Sequence, residues 1–172
     1  MNVVLVGYRG TGKSTVGQLL AGRLGLHLVS LDAELERKAC KSIPDIVQQV
    51  GWPGFRDLEE QIVAEFAAQD GQVIDCGGGV IEREANFERL RAAGPVVWLK
   101  ASAGTIVSRI QGDSQRPSLT GARSFTEEVE EVLKRRTPLY RRIAHYEVDT
   151  DGRRVEDIAA EIATMVRDPS PS

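Results

Sequence analysis

The sequence is poor in cysteine. Its two thiols, Cys40 and Cys76, are too few and too widely spaced for a disulfide framework or a metal-ligand cluster, so both are read as reduced. It has no apolar run near bilayer-spanning length and no charged leader followed by an apolar stretch, which makes a cytoplasmic protein without a membrane partner the expectation. It also lacks a strong charge of one sign: the formal net charge is −3 and the pI is near 5.5. That removes any general pull toward nucleic acid. Lysine is scarce, five residues against 17 arginines, an excess that suits a site gripping planar anions through paired hydrogen bonds. No internal repeat is visible. What remains, 172 residues of which 41% are hydrophobic, is enough for one domain with a proper core. We assign that domain to residues 1–167 and expect the tail 168–172, Asp-Pro-Ser-Pro-Ser, to be disordered.

The most specific stretch is Gly7-Tyr-Arg-Gly-Thr-Gly-Lys13-Ser14, which follows the apolar run Val3 to Val6 and fits the G-x-x-x-x-G-K-[ST] phosphate-loop pattern without a mismatch. Gly7, Gly10 and Gly12 allow a tight turn whose N–H groups point inward at phosphates. Lys13 supplies counter-charge and Ser14 a hydroxyl for Mg²⁺, and a helix starting there aims its positive end at the same anion. Val16, Leu19, Leu20 and Leu24 follow at the spacing of one buried helical face. The pattern therefore points to a nucleoside triphosphate.

Strand and helix signals alternate along the chain. Strands are expected at about 2–7, 27–31, 72–76, 96–100 and 145–149. Helices are expected at about 13–24, across 32–50, and at 54–69, 84–93, 102–111, 126–142 and 154–167. This is an α/β chain, a three-layer, five-stranded parallel sheet with helices on both faces. Ligands should gather at the carboxyl ends of its strands. Residues 112–125 have little periodicity and many turn formers, and read as a mobile lid.

Several constellations fall on the expected ligand edge. Asp32, just past the second strand, is a candidate to orient and deprotonate an acceptor hydroxyl, or an N-cap for the helix beginning at Ala33. Arg56 and Glu59 are i and i+3, consistent either with a surface ion pair or with a guanidinium held rigid for a carboxylate. Gly77-Gly78-Gly79 costs backbone entropy unless something approaches the chain closely, which suggests a ligand cradle. Asp75 before it has the D-x-x-G form of an element that reaches a Mg²⁺ shell. Arg116-Pro117 lies in the lid, within reach of transferring phosphoryl oxygens or merely solvated. The basic run from Lys134 to Arg142 reads either as a nucleic-acid patch or as cations at the end of an acidic helix.

In this order and spacing, these pieces resemble shikimate kinase, a small branch of the nucleoside-monophosphate-kinase-like phosphate-loop proteins. The match covers the phosphate loop, Asp32, Phe55-Arg56-x-x-Glu59, the triple glycine, Arg116-Pro117 and Arg136-x-Pro138-Leu-Tyr140. The resemblance implies a P-loop kinase with a lid. Its reaction would be MgATP-dependent phosphorylation of the 3-hydroxyl of shikimate, giving shikimate 3-phosphate for aromatic amino-acid (chorismate) synthesis, by a monomer. It further implies Lys13, Asp32 and Arg116 as catalytic residues. ATP would be bound by Gly10, Thr11, Gly12, Lys13, Ser14, Thr15, Arg109, Arg116 and Arg154. Shikimate would be bound by Asp32, Arg56, Gly77, Gly78, Gly79 and Arg136, and Mg²⁺ by Ser14 and Asp75. Two positions depart from the pattern. Ser30 stands where an acidic residue linked through water to Mg²⁺ is usual, and Asp75 is read as supplying that charge from the neighbouring strand. Trp52-Pro53 replaces a Gly-Glu start to the Phe-Arg helix, altering its beginning while sparing Arg56. The alternatives are a related small-molecule kinase, such as one for gluconate, and a non-catalytic nucleotide-binding regulatory module. No N-K-x-D or T-K-x-D guanine-reading element accompanies any lysine.

Overall fold

The computed structural model describes residues 1–110 and 125–168. The elements run β1 (Val3–Val6), α1 (Lys13–Leu24), β2 (His27–Ser30), α2 (Leu31–Ala39), α3 (Ile43–Ala67), β3 (Gln72–Asp75), α4 (Glu84–Ala93), β4 (Val96–Lys100), α5 (Ala103–Ile110), α6 (Phe125–Ile143), β5 (Tyr146–Asp149) and α7 (Val155–Arg167). A 3₁₀ turn, Val80–Glu82, precedes α4. The strands form one sheet in the order β2-β3-β1-β4-β5, and every neighbouring pair is parallel. Parallel neighbours cannot be joined by a hairpin, so each connection crosses the sheet through a helix. The expected architecture is therefore present.

Alternation along the strands divides the core. Val4, Val6, Ile74 and Trp98 face α2, α3, α4 and α6, while Val3, Leu5, Val73, Val97 and Leu99 face α1 and α7. The central strands β1 and β3 are buried throughout, which explains the unbroken apolar sequence of β1, while β3 is apolar only between Gln72 and Asp75. Edge strand β2 is only half covered. A smaller cluster of Tyr8, Ile106, Ile110, Val129 and Val132 ties α5 and α6 to the end of the phosphate loop nearest β1.

The structure locates a break inside 32–50 and keeps the expected separation between 32–50 and 54–69. The break arises because Ser42 caps a new helix by accepting from the Asp45 N–H at 3.3 Å. Within α3, Gly51 adopts φ 69°, so the segment carrying Ile46 and the segment carrying Arg56 are two helices meeting at one left-handed residue. Pro53 then sits in the first turn of the second segment, where its missing N–H is tolerated. Residues 111–124, with Arg116-Pro117 and all of the expected lid except Phe125, which opens α6, lie outside the described residues, as do 169–172 of the tail.

Candidate active site

The carboxyl ends of β1, β2 and β3 open onto one cavity of about 280 Å³, lined by the phosphate loop, Ser30, Asp32 and the segment from Asp75 to Gly78. This is the edge where parallel-sheet proteins collect ligands, because loops there diverge around helix N-termini.

The nucleotide-side wall is built mainly from backbone. Gly7, Gly10 and Gly12 have φ of 148°, 81° and 89°, and α1 begins at Lys13 directly after Gly12. The Lys13 ammonium donates to the carbonyls of Gly7 (2.8 Å) and Tyr8 (3.0 Å), which keeps this buried charge inside the loop. The Thr11 hydroxyl donates to Tyr8 O at 2.8 Å, and Arg109, at the end of α5, donates to Gly10 O at 3.0 Å. Thr15 lines the same cavity. Arg154 is different: it is exposed just before α7 and lies 3.6 Å from Glu156.

Between the walls, the Ser14 hydroxyl donates to Asp75 Oδ2 at 2.7 Å. Burial pushes the Asp75 carboxyl above its usual range and the Asp32 charge adds to the effect, while Lys13 and the Ser14 hydrogen bond act in the opposite direction. A buried carboxylate beside a hydroxyl is a hard oxygen pair of the kind that suits Mg²⁺, which takes one or two protein ligands and fills its remaining positions with water and phosphate. Among the described residues there is no cluster of three or more His, Cys, Asp or Glu that could form a closed metal cage. Ser30 is the direct cross-strand partner of Asp75.

Ser30 also corrects the capping assignment. It is the N-cap of α2, accepting from the Ala33 N–H at 3.3 Å, and the helix starts at Leu31. Asp32 therefore lies in the first helical turn rather than at the cap, and its carboxylate faces Gly77: a β-carbon there would stand 2.6 Å from Asp32 Oδ1.

The acceptor-side wall is built from fastened side chains. Arg56 and Glu59 are both buried, with Nη1 to Oε1 at 2.9 Å, so the surface-pair alternative is excluded. The guanidinium lies 5.2 Å from the Phe55 ring centre and 5.4 Å from that of Trp52. Arg56 keeps its place, as the sequence suggested, and Trp52 in addition covers it, because the two are i and i+4 on the segment that Gly51 begins. Arg136 is likewise buried, and its Nε donates to Glu82 Oε1 at 2.8 Å. Burial disfavours the Glu82 charge, but hydrogen bonds from Arg136 and Arg135 outweigh it and bring its pKa below the usual value.

These two arginines, with Asp32 at Gly77, account for the triple glycine. A β-carbon on Gly79 would run into the Arg56 guanidinium, and one on Gly78 would stand 3.3 Å from Arg136 Nη1. The Tyr140 hydroxyl donates to Gly78 O, and its ring stacks on Trp98 at 5.7 Å. Arg56 and Arg136 thus stand against Gly79 and Gly78, and Asp32 against Gly77. Sequence reasoning missed Glu82 and the role of Trp52. Nothing in the spacing links position 82 to 136, whereas Trp52 carried a readable signal in its i, i+4 relation to Arg56. The basic run is engaged in pairs, with Arg135 and Arg136 on Glu82, Arg141 on Glu147 and Arg142 on Glu84.

A family model described as "Shikimate kinase" matches residues 9–167. The chain belongs to the shikimate kinase family. Among curated members, it is 40% identical to the shikimate kinase of Symbiobacterium thermophilum over 170 residues, covering 98% of this chain and 97% of that one. It is 42% identical to that of Geobacter sulfurreducens over 167 residues, covering 97% and 91%. Among solved members of the family, the shikimate kinase from Acinetobacter baumannii in complex with shikimate superposes with a TM-score of 0.94 at 34% identity, covering 99% of this chain and 95% of that one. No helix among the described residues is long and apolar enough to cross a membrane.

Proposed function

We propose that the chain transfers the γ-phosphoryl group of ATP to the 3-hydroxyl of shikimate, as its membership of the shikimate kinase family implies. The bond from phosphorus to the ADP oxygen breaks as the bond to O3 forms, and the hydroxyl proton passes to Asp32. Arg56 and Arg136 clamp the substrate carboxylate, each held beforehand by an acidic partner, so little side-chain entropy is lost on binding. The amides of Gly77 to Gly79 meet the ring substituents. Gly10, Gly12, Thr11 and Thr15 wrap the phosphates, Lys13 and Arg116 balance charge on the transferring group, and Arg109 and Arg154 flank the base. Ser14 and Asp75 hold Mg²⁺, which when bound neutralises phosphate charge.

The observation that carries this reading is the convergence of Lys13, Ser14, Asp75 and Asp32 on one cavity, with Arg136 and Arg56 against the adjoining Gly78 and Gly79. In the same proposal, residues 1–167 form one kinase domain with a lid at about 112–125, acting as a cytoplasmic monomer without nucleic-acid or membrane partners. The test is an ADP-release assay with shikimate, gluconate and nucleoside monophosphates in parallel. Shikimate alone should stimulate turnover. Turnover with gluconate instead would move the activity to another acceptor, and ATP binding without stimulated turnover would favour a regulatory module.

A further inference from the structure

Arg9 occupies one of the unspecified positions of the phosphate-loop pattern, yet it lines the cavity together with Lys13, Asp32 and Gly78. Its Nη1 is buried and has no hydrogen-bond partner among the described residues. A guanidinium cannot escape this by losing its proton, and a desolvated donor without an acceptor is costly to keep. The other arginines around the site are answered: Arg56 by Glu59, Arg136 by Glu82 and Arg109 by the Gly10 carbonyl. Arg9 also stands at the seam between the two walls, since its own amide nitrogen lies 3.5 Å from where a Gly78 β-carbon would be.

We infer that Arg9 is a further catalytic residue, one that binds the peripheral oxygens of the phosphoryl group as that group crosses from nucleotide to acceptor. The phosphoryl group is favoured over the substrate carboxylate by position. Arg9 is carried on the phosphate loop, one residue before Gly10, and shares the cavity wall with Lys13. The two arginines assigned to the carboxylate are not part of that lining and stand against Gly78 and Gly79 instead. A transferring phosphoryl group spreads its charge over three peripheral oxygens, while two of the three Lys13 donors are already on the Gly7 and Tyr8 carbonyls. A guanidinium fork is suited to the remainder.

The inference rests on the kinase reading, but its test does not depend on the acceptor. Binding of ADP and of a non-hydrolysable ATP analogue, each with Mg²⁺, is measured by calorimetry for the parent protein, Arg9→Met and Arg9→Lys. Arg9→Met should reduce the preference for the analogue over ADP by about tenfold while leaving ADP affinity within about twofold, and Arg9→Lys should recover part of it. A parallel titration should show shikimate 3-phosphate weakened more than shikimate. An unchanged preference for the analogue overturns the assignment. Equal loss for shikimate and its phosphate would instead put Arg9 on the carboxylate, which also overturns it. Should the parent protein fail to turn over shikimate, the kinase reading falls, but the analogue-to-ADP ratio still decides the role of Arg9.

Discussion

At Gly12, an added β-carbon would meet nothing within 4 Å, yet the backbone has φ 89°. At Gly79 the relation is reversed: φ is −96°, which any residue can adopt, but a β-carbon would collide with Arg56. The nucleotide wall needs glycine's conformational range at Gly7, Gly10 and Gly12 alike, with lack of volume added at Gly7 and Gly10, where a β-carbon would stand 2.5 Å from Leu99 O and 2.7 Å from Ile110 Cγ2. The acceptor wall uses glycine for its lack of volume alone. The first need is met within eight consecutive residues, while the second arises because charges from α3 and α6 must stand against the backbone leaving β3. One wall is thus a local turn, and the other is a tertiary assembly that depends on the whole fold.

Removing an internal partner from the acceptor wall should have the largest effect. Glu59→Ala leaves the Arg56 charge buried and unanswered, with an expected cost of about 3–5 kcal/mol in urea unfolding. A loss under about 1 kcal/mol would mean that this wall is less dependent on its pairs than its burial implies. Next, Arg56→Ala, Arg136→Ala and Gly79→Ala should each weaken shikimate binding by about 2–4 kcal/mol while leaving ATP affinity nearly intact. The glycine substitution is the sharper probe, since it removes no charge. Equal damage to both ligands in calorimetry would break the division between the walls.

Gly12→Ala should do the opposite at lower cost, about 1–2 kcal/mol of backbone strain expressed in stability and nucleotide affinity, with shikimate affinity retained. Asp75→Asn removes a charge that burial disfavours. Without metal, the variant should melt about 2–4 °C higher, equivalent to about 1 kcal/mol, and its affinity for ADP should no longer respond to Mg²⁺. A variant that melts lower and keeps the Mg²⁺ response would remove Asp75 from the metal shell.

The smallest effect concerns neither wall and serves as a control. His145 Nδ1 accepts from the Val96 N–H at 3.0 Å, and burial together with the Arg91 charge lowers its pKa below 6.5. Below 6.5 the unfolded chain therefore takes up the proton before the folded one. The contribution is fully present above 6.5 and fades as pH falls through the lowered value. Urea unfolding from about pH 7 to about pH 5 should show a shallow loss in the parent protein that His145→Gln flattens.

Most of the fold was legible because parallel sheets write themselves plainly: Val3 to Val6 and Val96 to Leu99 are apolar throughout since both faces are covered. The nucleotide wall was legible for a related reason, since its geometry is a property of adjacent residues. The acceptor wall was legible in part: Asp32 and the glycine run stood out from the residues, Arg56 was left between two readings, and Arg136 came only through resemblance. Arg56 and Glu59 share a helix, but whether that pair is buried depends on β3 and α6, which no local pattern reveals. The contact of Arg136 with Glu82 joins α6 to the turn before α4, 54 residues apart in sequence, and leaves no periodic trace. The helix break at Gly51 was partly visible in Trp52-Pro53, but the aromatic cover over Arg56 follows from which face that break turns inward.

The pairing of Ser30 with Asp75 across β2 and β3 has a consequence for how relatives are compared. Two residues side by side on parallel strands address the same point in space, so an acid can migrate between them without moving relative to its target. In a column-by-column comparison, such a migration registers as one loss and one unrelated gain 45 positions apart. The locale would nonetheless have stayed chemically the same. Catalytic inventories for this architecture are therefore better drawn up by neighbourhood than by position.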